Sequence, residues 1–318
     1  MLPTPAQESA LANVLRRFFR AYRYAPISPA HGLIRRICRS LVGQHQRIRL
    51  RNGLRLEIDL ASEVQQTLFW FDGDYEPQLE WAIRELLPVG ATCVDCGANC
   101  GYIGLLARRF RHSPVWFIEP HPRLAETIRR NVELNGWAGS CQVIEAAASD
   151  EAGETTLFES AHKDGSHSLE ANWSDASSPG ARSEIRVRRD RLPGLLGDSA
   201  DLRHIGLLKV DAEGHDFAVL RGLGDWLNPA RIGMVYVELS EAREAGFAML
   251  DRAGFAGFGQ PVRSQRQLRR TTRNLREGRP GVLFEPLDWS HPNPAETLWL
   301  PKDGPAARHL TFLAKMGS

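Results

Sequence analysis

Val94-Asp95-Cys96-Gly97-Ala98-Asn99-Cys100-Gly101-Tyr102 is the stretch on which the reading of this 318-residue chain turns. The apolar run over 92–95 predicts a strand that ends on an acid, and a helix follows to about residue 110. Gly97 and Gly101 remove Cβ where the chain must turn sharply between the two, which also lets the backbone come close to a ligand. The first turn of the helix offers unpaired N–H groups that suit a carboxylate as well as a phosphate. Asp95 is placed to hold an ammonium, directly or through water. Glu119 closes the next apolar strand, over 115–119, and lies 22 residues beyond Gly97. A carboxylate in that place can accept hydrogen bonds from both hydroxyls of a ribose.

A dinucleotide site shares this strand–turn–helix–strand–acid logic, so a NAD-type oxidoreductase is the first alternative. It requires G-x-G-x-x-G, whereas this chain has G-A-N-C-G with an acid two residues ahead of the first Gly. That acid would face a pyrophosphate, an unfavourable pairing. A ligand that carries a ribose, a carboxylate and an ammonium fits better, and S-adenosylmethionine is such a ligand.

The second informative stretch is Leu207-Leu208-Lys209-Val210-Asp211-Ala212-Glu213-Gly214-His215-Asp216. An apolar strand over 205–211 delivers Lys209, Asp211 and Glu213 to the carboxyl edge of a sheet, and period two places the three on one face. A helix cap explains one of the acids but not the lysine as well. Asp211, Glu213 and His215 are therefore candidate general bases, with the carboxylates ranked first, and Lys209 a candidate to orient an acceptor oxygen. Glu238, at the end of a strand over 234–239, opens toward the same crevice. Nothing in the spacing demands a metal.

Working outward, helices alternate with short apolar strands from Pro77 onward, which predicts a parallel sheet with helices on both faces. Ahead of it, Arg47 to Arg51 and Leu54 to Ile58 alternate in period two around Asn52-Gly53, the favoured two-residue hairpin turn. Residues 7–24 and 33–42 read as amphipathic helices, and residues 1–55 hold eleven Arg. We expect them to dock on the main domain; contact with an anionic membrane surface is the weaker alternative. The polar stretch 160–181 reads as a surface insertion. The run 263–279 holds seven Arg and one Glu, and the tail from Phe284 reads as an irregular Pro-rich cap. The expected division is 1–74, 75–260 and 261–318.

Net charge is only +2, so global electrostatics give no reason to expect nucleic acid. The Arg runs also lack the interleaved aromatic residues that bases stack on. Cys93, Cys96 and Cys100 are close in sequence, but small buried thiols explain them better than a metal cluster. No signal peptide or membrane span is apparent, and the expected compartment is the cytoplasm.

With these pieces in order, the chain resembles the FkbM-type methyltransferases over roughly residues 75–239. The matching residues are Tyr75-Glu76-Pro77, Asp95-x-Gly97-Ala98-Asn99-x-Gly101-Tyr102, Glu119-Pro120, Asn131-x3-Asn135-Gly136, Ala146-Ala147-Ala148-Ser149-Asp150, Lys209 to Gly214, and Val237-Glu238. The resemblance implies a Rossmann-like class I methyltransferase fold with S-adenosylmethionine as cofactor. It also implies methyl transfer to an oxygen, often on a sugar or polyketide-type product. It places Glu76, Asp95, Gly97, Ala98, Asn99, Gly101, Tyr102 and Glu119 at the cofactor. The expected partner is a small-molecule or glycan acceptor with a free hydroxyl. A cofactor-binding protein without catalysis is the remaining alternative, and intact Lys209, Asp211 and Glu213 argue against it. Asp216 stands where the family usually has Glu.

Overall fold

The computed structural model describes residues 6–7, 12–17, 41–159, 168–169, 183–197, 199, 202–239, 242–259, 284–287 and 296–317. Most of the 7–24 and 33–42 helices, the Arg-rich run 263–279 and all but two residues of the 160–181 insertion lie outside them.

Five parallel strands form one side of an eight-stranded sheet, out to its edge: β4 (Thr92–Cys96), β5 (Val115–Ile118), β6 (Cys141–Ile144), β10 (Ile205–Val210) and β11 (Val235–Glu238). The spatial order runs β6-β5-β4-β10-β11, so the winding direction reverses between β4 and β10. A crevice opens at such a switch point, beyond the carboxyl ends of the two strands. Both faces of the sheet are covered. Cys93, Phe117, Leu207 and Tyr236 join one core with α2 (Pro77–Glu85), α3 (Tyr102–Arg111) and α4 (Pro122–Leu134). Their chain neighbours Val94, Ile118, Leu208 and Val237 join a second core with α5 (Leu192–Leu196), α6 (Asp216–Gly222) and α7 (Arg243–Arg252). This alternation across two buried faces is why the strands read as continuous apolar runs. It also puts Cys93 and Cys96 in different cores.

The tail departs from the expected irregular cap. Residues 296–301 form β14 (Glu296–Pro301), which inserts antiparallel between β11 and β12 (Phe255–Gly259); β13 (Glu285–Pro286) adds to the edge and α8 (Pro305–Gly317) follows. Leu298 and Leu300 enter one core and Trp299 the other, so a strand inside a Pro-rich tail completes the sheet. The insertion is likewise flanked by strands that its sequence did not announce. β8 (Gly153–Glu159) and β9 (Ser183–Asp190) pair antiparallel beside β7 (Ala147–Ala148). Charges on both faces of β9 hide its alternation; only Ile185 and Val187 mark it.

The N-terminal hairpin, β2 (His45–Arg49) and β3 (Arg55–Asp59), joined by β1 (Ala6–Gln7) and followed by α1 (Glu63–Trp70), forms in a register that corrects the expected turn. Leu50 N–H donates to Leu54 O and Gly53 N–H to Leu50 O, leaving a three-residue loop with Gly53 at φ +87°. A two-residue loop at Asn52-Gly53 would have set Ile48 opposite Glu57. The longer loop sets it opposite Leu56, with both side chains buried. Burial of one face therefore overrides the dipeptide signal.

Two amides of α4 hold the free edge of β3. Asn131 accepts from Glu57 N–H at 2.6 Å and donates to Glu57 O at 3.3 Å. One turn on, Asn135 accepts from Arg55 N–H at 3.0 Å and donates to Arg55 O at 2.7 Å. Four helical residues advance about 6 Å and two strand residues about 6.6 Å, so the i, i+4 amides match alternate strand residues. At the N-terminus, residues 12–17 are helical and dock through buried Arg16, which bonds to Asp72 at 2.8 Å and to Phe69 O at 3.0 Å. No helix among the described residues is long and apolar enough to cross a membrane.

Candidate active site

The site begins where β4 and β10 end side by side, with Asp95 and Lys209 as register partners. Asp211 N–H donates to Cys96 O at 3.1 Å, which draws the chain after β10 across the glycine turn. Gly97 sits at φ +71°, and a Cβ there would lie 1.8 Å from Asp211 O. No other residue fits. Gly97, Asn99 and Gly101 all have positive φ, so the turn coils tightly before α3 starts. The buried Lys209 ammonium donates to Gly97 O at 2.9 Å and pairs with Asp211 Oδ2 at 3.1 Å and Asp95 Oδ1 at 3.6 Å. Burial opposes its charge, but Asp211, Asp95 and Glu76 hold it well above the usual lysine range. Lys209 is thus a clamp between the two strand ends, with its donors directed to protein groups.

A solvent-open cleft runs outward from this clamp. Along one wall lie Ile118, Pro120, Leu124, Ala147 and Leu157, an apolar slot suited to a flat ring. Glu119 stands at its edge. Glu119 Oε2 accepts from Asn99 N–H at 2.8 Å and Oε1 from His121 N–H at 3.0 Å. Burial raises this carboxyl to about 7, against the pull of those two N–H groups. His121 caps α4 by accepting Arg123 N–H on Nδ1, which leaves Nε2 to donate to Glu159 at 2.7 Å. Ser168 donates to Glu213 O, and Leu169 reaches the cleft, so these two residues of the insertion close over its mouth.

The other end of the cleft is acidic. Tyr75 and Asp211 line it. Behind them lies Glu76, whose raised carboxyl reflects burial first and the Glu296 carboxylate second. Glu296 accepts from Gln78 at 2.7 Å and from the Tyr236 hydroxyl at 2.9 Å. Glu238 lies directly opposite Glu296 across the β11–β14 pair. Burial, then Asp211 and Glu296, push Glu238 up to about 8.

Eight of the residues singled out from sequence therefore border the cleft: Gly97, Ala98, Asn99, Tyr102, Glu119, Lys209, Asp211 and Glu213. Four do not. Asp95 is fully buried and accepts Gly104 N–H at 2.9 Å, so it fixes the helix start and Lys209 instead of facing a ligand. Gly101 supplies backbone geometry only. Glu76 sits one layer back. His215 precedes α6 and pairs with Ser149 Oγ at 3.0 Å, away from the cleft. Glu213 has φ +48°, so the period-two argument ends at Asp211 and a turn brings Glu213 in. Sequence reasoning missed Val64, Leu124, Leu157 and Leu169, apolar side chains without a local pattern, and Glu296, which arrives on β14 from the far end of the chain. Burial keeps Cys96 well up and Cys100 up to about 12, so both are neutral thiols in the cleft lining.

Several known proteins are similar to this chain. "Methyltransferase 1" of Beauveria bassiana is 32% identical over 187 residues, which cover 53% of this chain and 74% of that protein. "Methyltransferase sdnD" of Sordaria araneosa is 26% identical over 200 residues, 53% and 75% of the two chains. Among solved structures, a precorrin-6y C5,15-methyltransferase from Geobacter metallireducens is 11% identical and covers 71% of this chain and 87% of its own, with a TM-score of 0.36. A methyltransferase from Pyrococcus furiosus, also 11% identical, covers 72% and 83% with a TM-score of 0.36. The methyltransferase FkbM domain matches residues 95–260, more than half of the chain. With the glycine turn, Glu119 and the Lys209–Asp211 clamp all inside or bordering that span, the chain belongs to the FkbM methyltransferase family.

Proposed function

We propose that the protein is an S-adenosylmethionine-dependent O-methyltransferase whose acceptor is a hydroxyl of a sugar, glycan or polyketide-type small molecule. When bound, the cofactor supplies a methyl group made electrophilic by its sulfonium. The residues present fit it. Glu119, tied down by two backbone N–H groups, retains free lone pairs on both oxygens for ribose hydroxyls. Ile118, Pro120, Leu124 and Leu157 supply an apolar slot for the base, and the turn over 97–101 meets the polar remainder.

The observation that carries the O-transfer reading is the position of Asp211. It lines the cleft at the switch point, and Lys209 holds its Oδ2 at 3.1 Å. A hydroxyl is a weak nucleophile and loses its proton during attack. Asp211 is oriented by Lys209 and keeps its second oxygen to accept that proton. Lys209 acts as a positioning residue. Glu213 borders the same opening and is placed to orient the acceptor.

The test incubates the purified protein with methyl-labelled S-adenosylmethionine and a panel of hexosides, oligosaccharides and macrolactones, with matched amines as controls. Product mass and NMR are expected to show a methyl ether. Asp211→Asn should reduce turnover about 100-fold or more while cofactor affinity stays within about twofold. Unchanged turnover would remove Asp211 as the base, and methylated amines without ethers would replace the acceptor class.

A further inference from the structure

Carboxylates from four separate places gather at and behind the acidic end of the cleft, and of these Asp211 lines it. Glu76 comes from the start of α2, Asp211 from the turn after β10, Glu238 from β11 and Glu296 from β14. Chain distance brings them together only through the sheet, where Glu238 and Glu296 are direct cross-strand partners. Like charges placed opposite one another in a ladder are destabilising. Glu76 adds a second cost: its Oε2 is sealed from solvent without a hydrogen-bond partner. The cation beside them, Lys209, already serves Gly97 O, Asp211 and Asp95. Among the described residues, the donors to Glu296 are the neutral Gln78 and Tyr236. Among the described residues no group of three carboxylate, imidazole or thiol side chains is placed to hold a metal ion. The arrangement is short of positive charge, and the cleft beside Tyr75 and Asp211 is where a ligand can bring it.

We propose that this carboxylate wall is a charge-selective part of the donor site, which binds the sulfonium form of the methyl donor in preference to the uncharged thioether left after transfer. The inference rests on the donor reading above. In the reaction the S–CH3 bond breaks and the O–CH3 bond forms. The acceptor proton passes to Asp211, and sulfur keeps the electron pair of the broken bond and loses its positive charge. A wall of negative potential therefore loses its counter-charge when transfer is complete, and S-adenosylhomocysteine leaves more readily than S-adenosylmethionine. Glu119, at the opposite end, contacts a part of the ligand that is the same before and after, and contributes nothing to that preference.

The test is equilibrium binding of three ligands to the full chain by calorimetry at pH 8.5, above the value of about 8 at which Glu238 ionises: S-adenosylmethionine, S-adenosylhomocysteine, and sinefungin, which carries a protonated amine in place of the sulfonium. Wild type is expected to bind both cationic ligands about fivefold or more tighter than the neutral one. A unit charge about 8 Å away at an effective dielectric of about 20 accounts for more than that, so partial ionisation still leaves a measurable effect. Glu238→Gln and Glu296→Gln should each weaken S-adenosylmethionine and sinefungin about three- to tenfold and leave S-adenosylhomocysteine within about twofold. Glu154→Gln, a surface change beside Arg186, controls for overall charge and should move none of the three. Equal loss for charged and neutral ligands, or a wild type that favours S-adenosylhomocysteine, overturns the proposal while leaving the donor reading intact. A wild type that binds none of them overturns both. Glu238 is partly exposed, so Glu238→Gln keeps the test decisive if the Glu296 variant fails to fold.

Discussion

The two ends of the cleft surround their carboxylates in opposite ways. At the Glu119 end each oxygen meets a backbone N–H, and those bonds draw a fully buried acid back to about 7. At the Glu238 end the next influences after burial are other carboxylates, and a less buried acid stands at about 8. One end is complete without a ligand, since the turn over 97–101 and the start of α4 supply its donors. The other end has more acceptors than donors. The difference separates a rigid anchoring half, built from adjacent segments of chain, from an electrostatically unfinished half assembled across the sheet.

Gly97 is common to both halves, and changing it should have the largest effect. Gly97→Ala places Cβ 1.8 Å from Asp211 O in a backbone conformation that L residues avoid. The turn and the acid cannot both keep their places, so we expect a loss of about 4 kcal/mol or more in unfolding free energy and no measurable cofactor binding. A folded Gly97→Ala protein with normal affinity would show that the two ends are not joined there.

Next in size is Glu119→Gln. The amide of Gln can offer one acceptor but turns a donor toward either Asn99 N–H or His121 N–H. Leaving one buried N–H without an acceptor costs about 1–3 kcal/mol, measurable by urea denaturation at pH 7. Affinity for S-adenosylmethionine and S-adenosylhomocysteine should fall together, because the change removes an anchor and not a charge preference. Selective loss of one ligand would erase the distinction between the two ends.

The anchoring half was also the legible half. Asp95, Gly97, Gly101 and Glu119 stand within one strand–turn–helix–strand unit, where strand ends and glycines announce themselves locally. Lys209 and Asp211 were legible for the same reason, as charges that interrupt an apolar strand. The assignments failed where position depended on distant chain. Asp95 looked like a ligand contact because its burial by Lys209 and Gly104 N–H is invisible before β10 pairs with β4. His215 looked available until Ser149, 66 residues away, claimed its ring. β14 is a short apolar run framed by prolines, and nothing local says that it enters the sheet between β11 and β12. Glu296 was therefore missed, and with it the partner that gives Glu238 its character. The hairpin register was misread for a different reason, because the Asn52-Gly53 signal was followed over a local pattern that opposes it: Ile48, Leu50, Leu54, Leu56 and Ile58 are all even-numbered, and only an odd-length loop pairs them face to face.

The smallest effect is the one that most sharpens the comparison, because the same chemical change should reverse its sign. Glu238→Gln removes a carboxylate set opposite Glu296 and repelled as well by Asp211, Glu213 and Asp216. In the folded chain its carboxyl stands near 8, above the ordinary glutamate value expected when unfolded. A raised acid binds its proton more tightly in the native state, so its contribution to stability is fully present below about pH 4 and is lost as pH rises toward 8. Gln mimics the protonated form at every pH. Wild type and variant should thus unfold at the same urea concentration near pH 4, and the variant should become more stable by about 1 kcal/mol at pH 8.5, the scale of a like-charge cross-strand pair. Glu119→Gln loses stability at pH 7 and Glu238→Gln gains it in mild alkali, although both replace a glutamate by its amide, one lining the cleft and one behind its acidic end. If Glu238→Gln destabilises the chain at pH 8.5 as well, the carboxylates of that end have partners after all, and the cleft is complete at both ends.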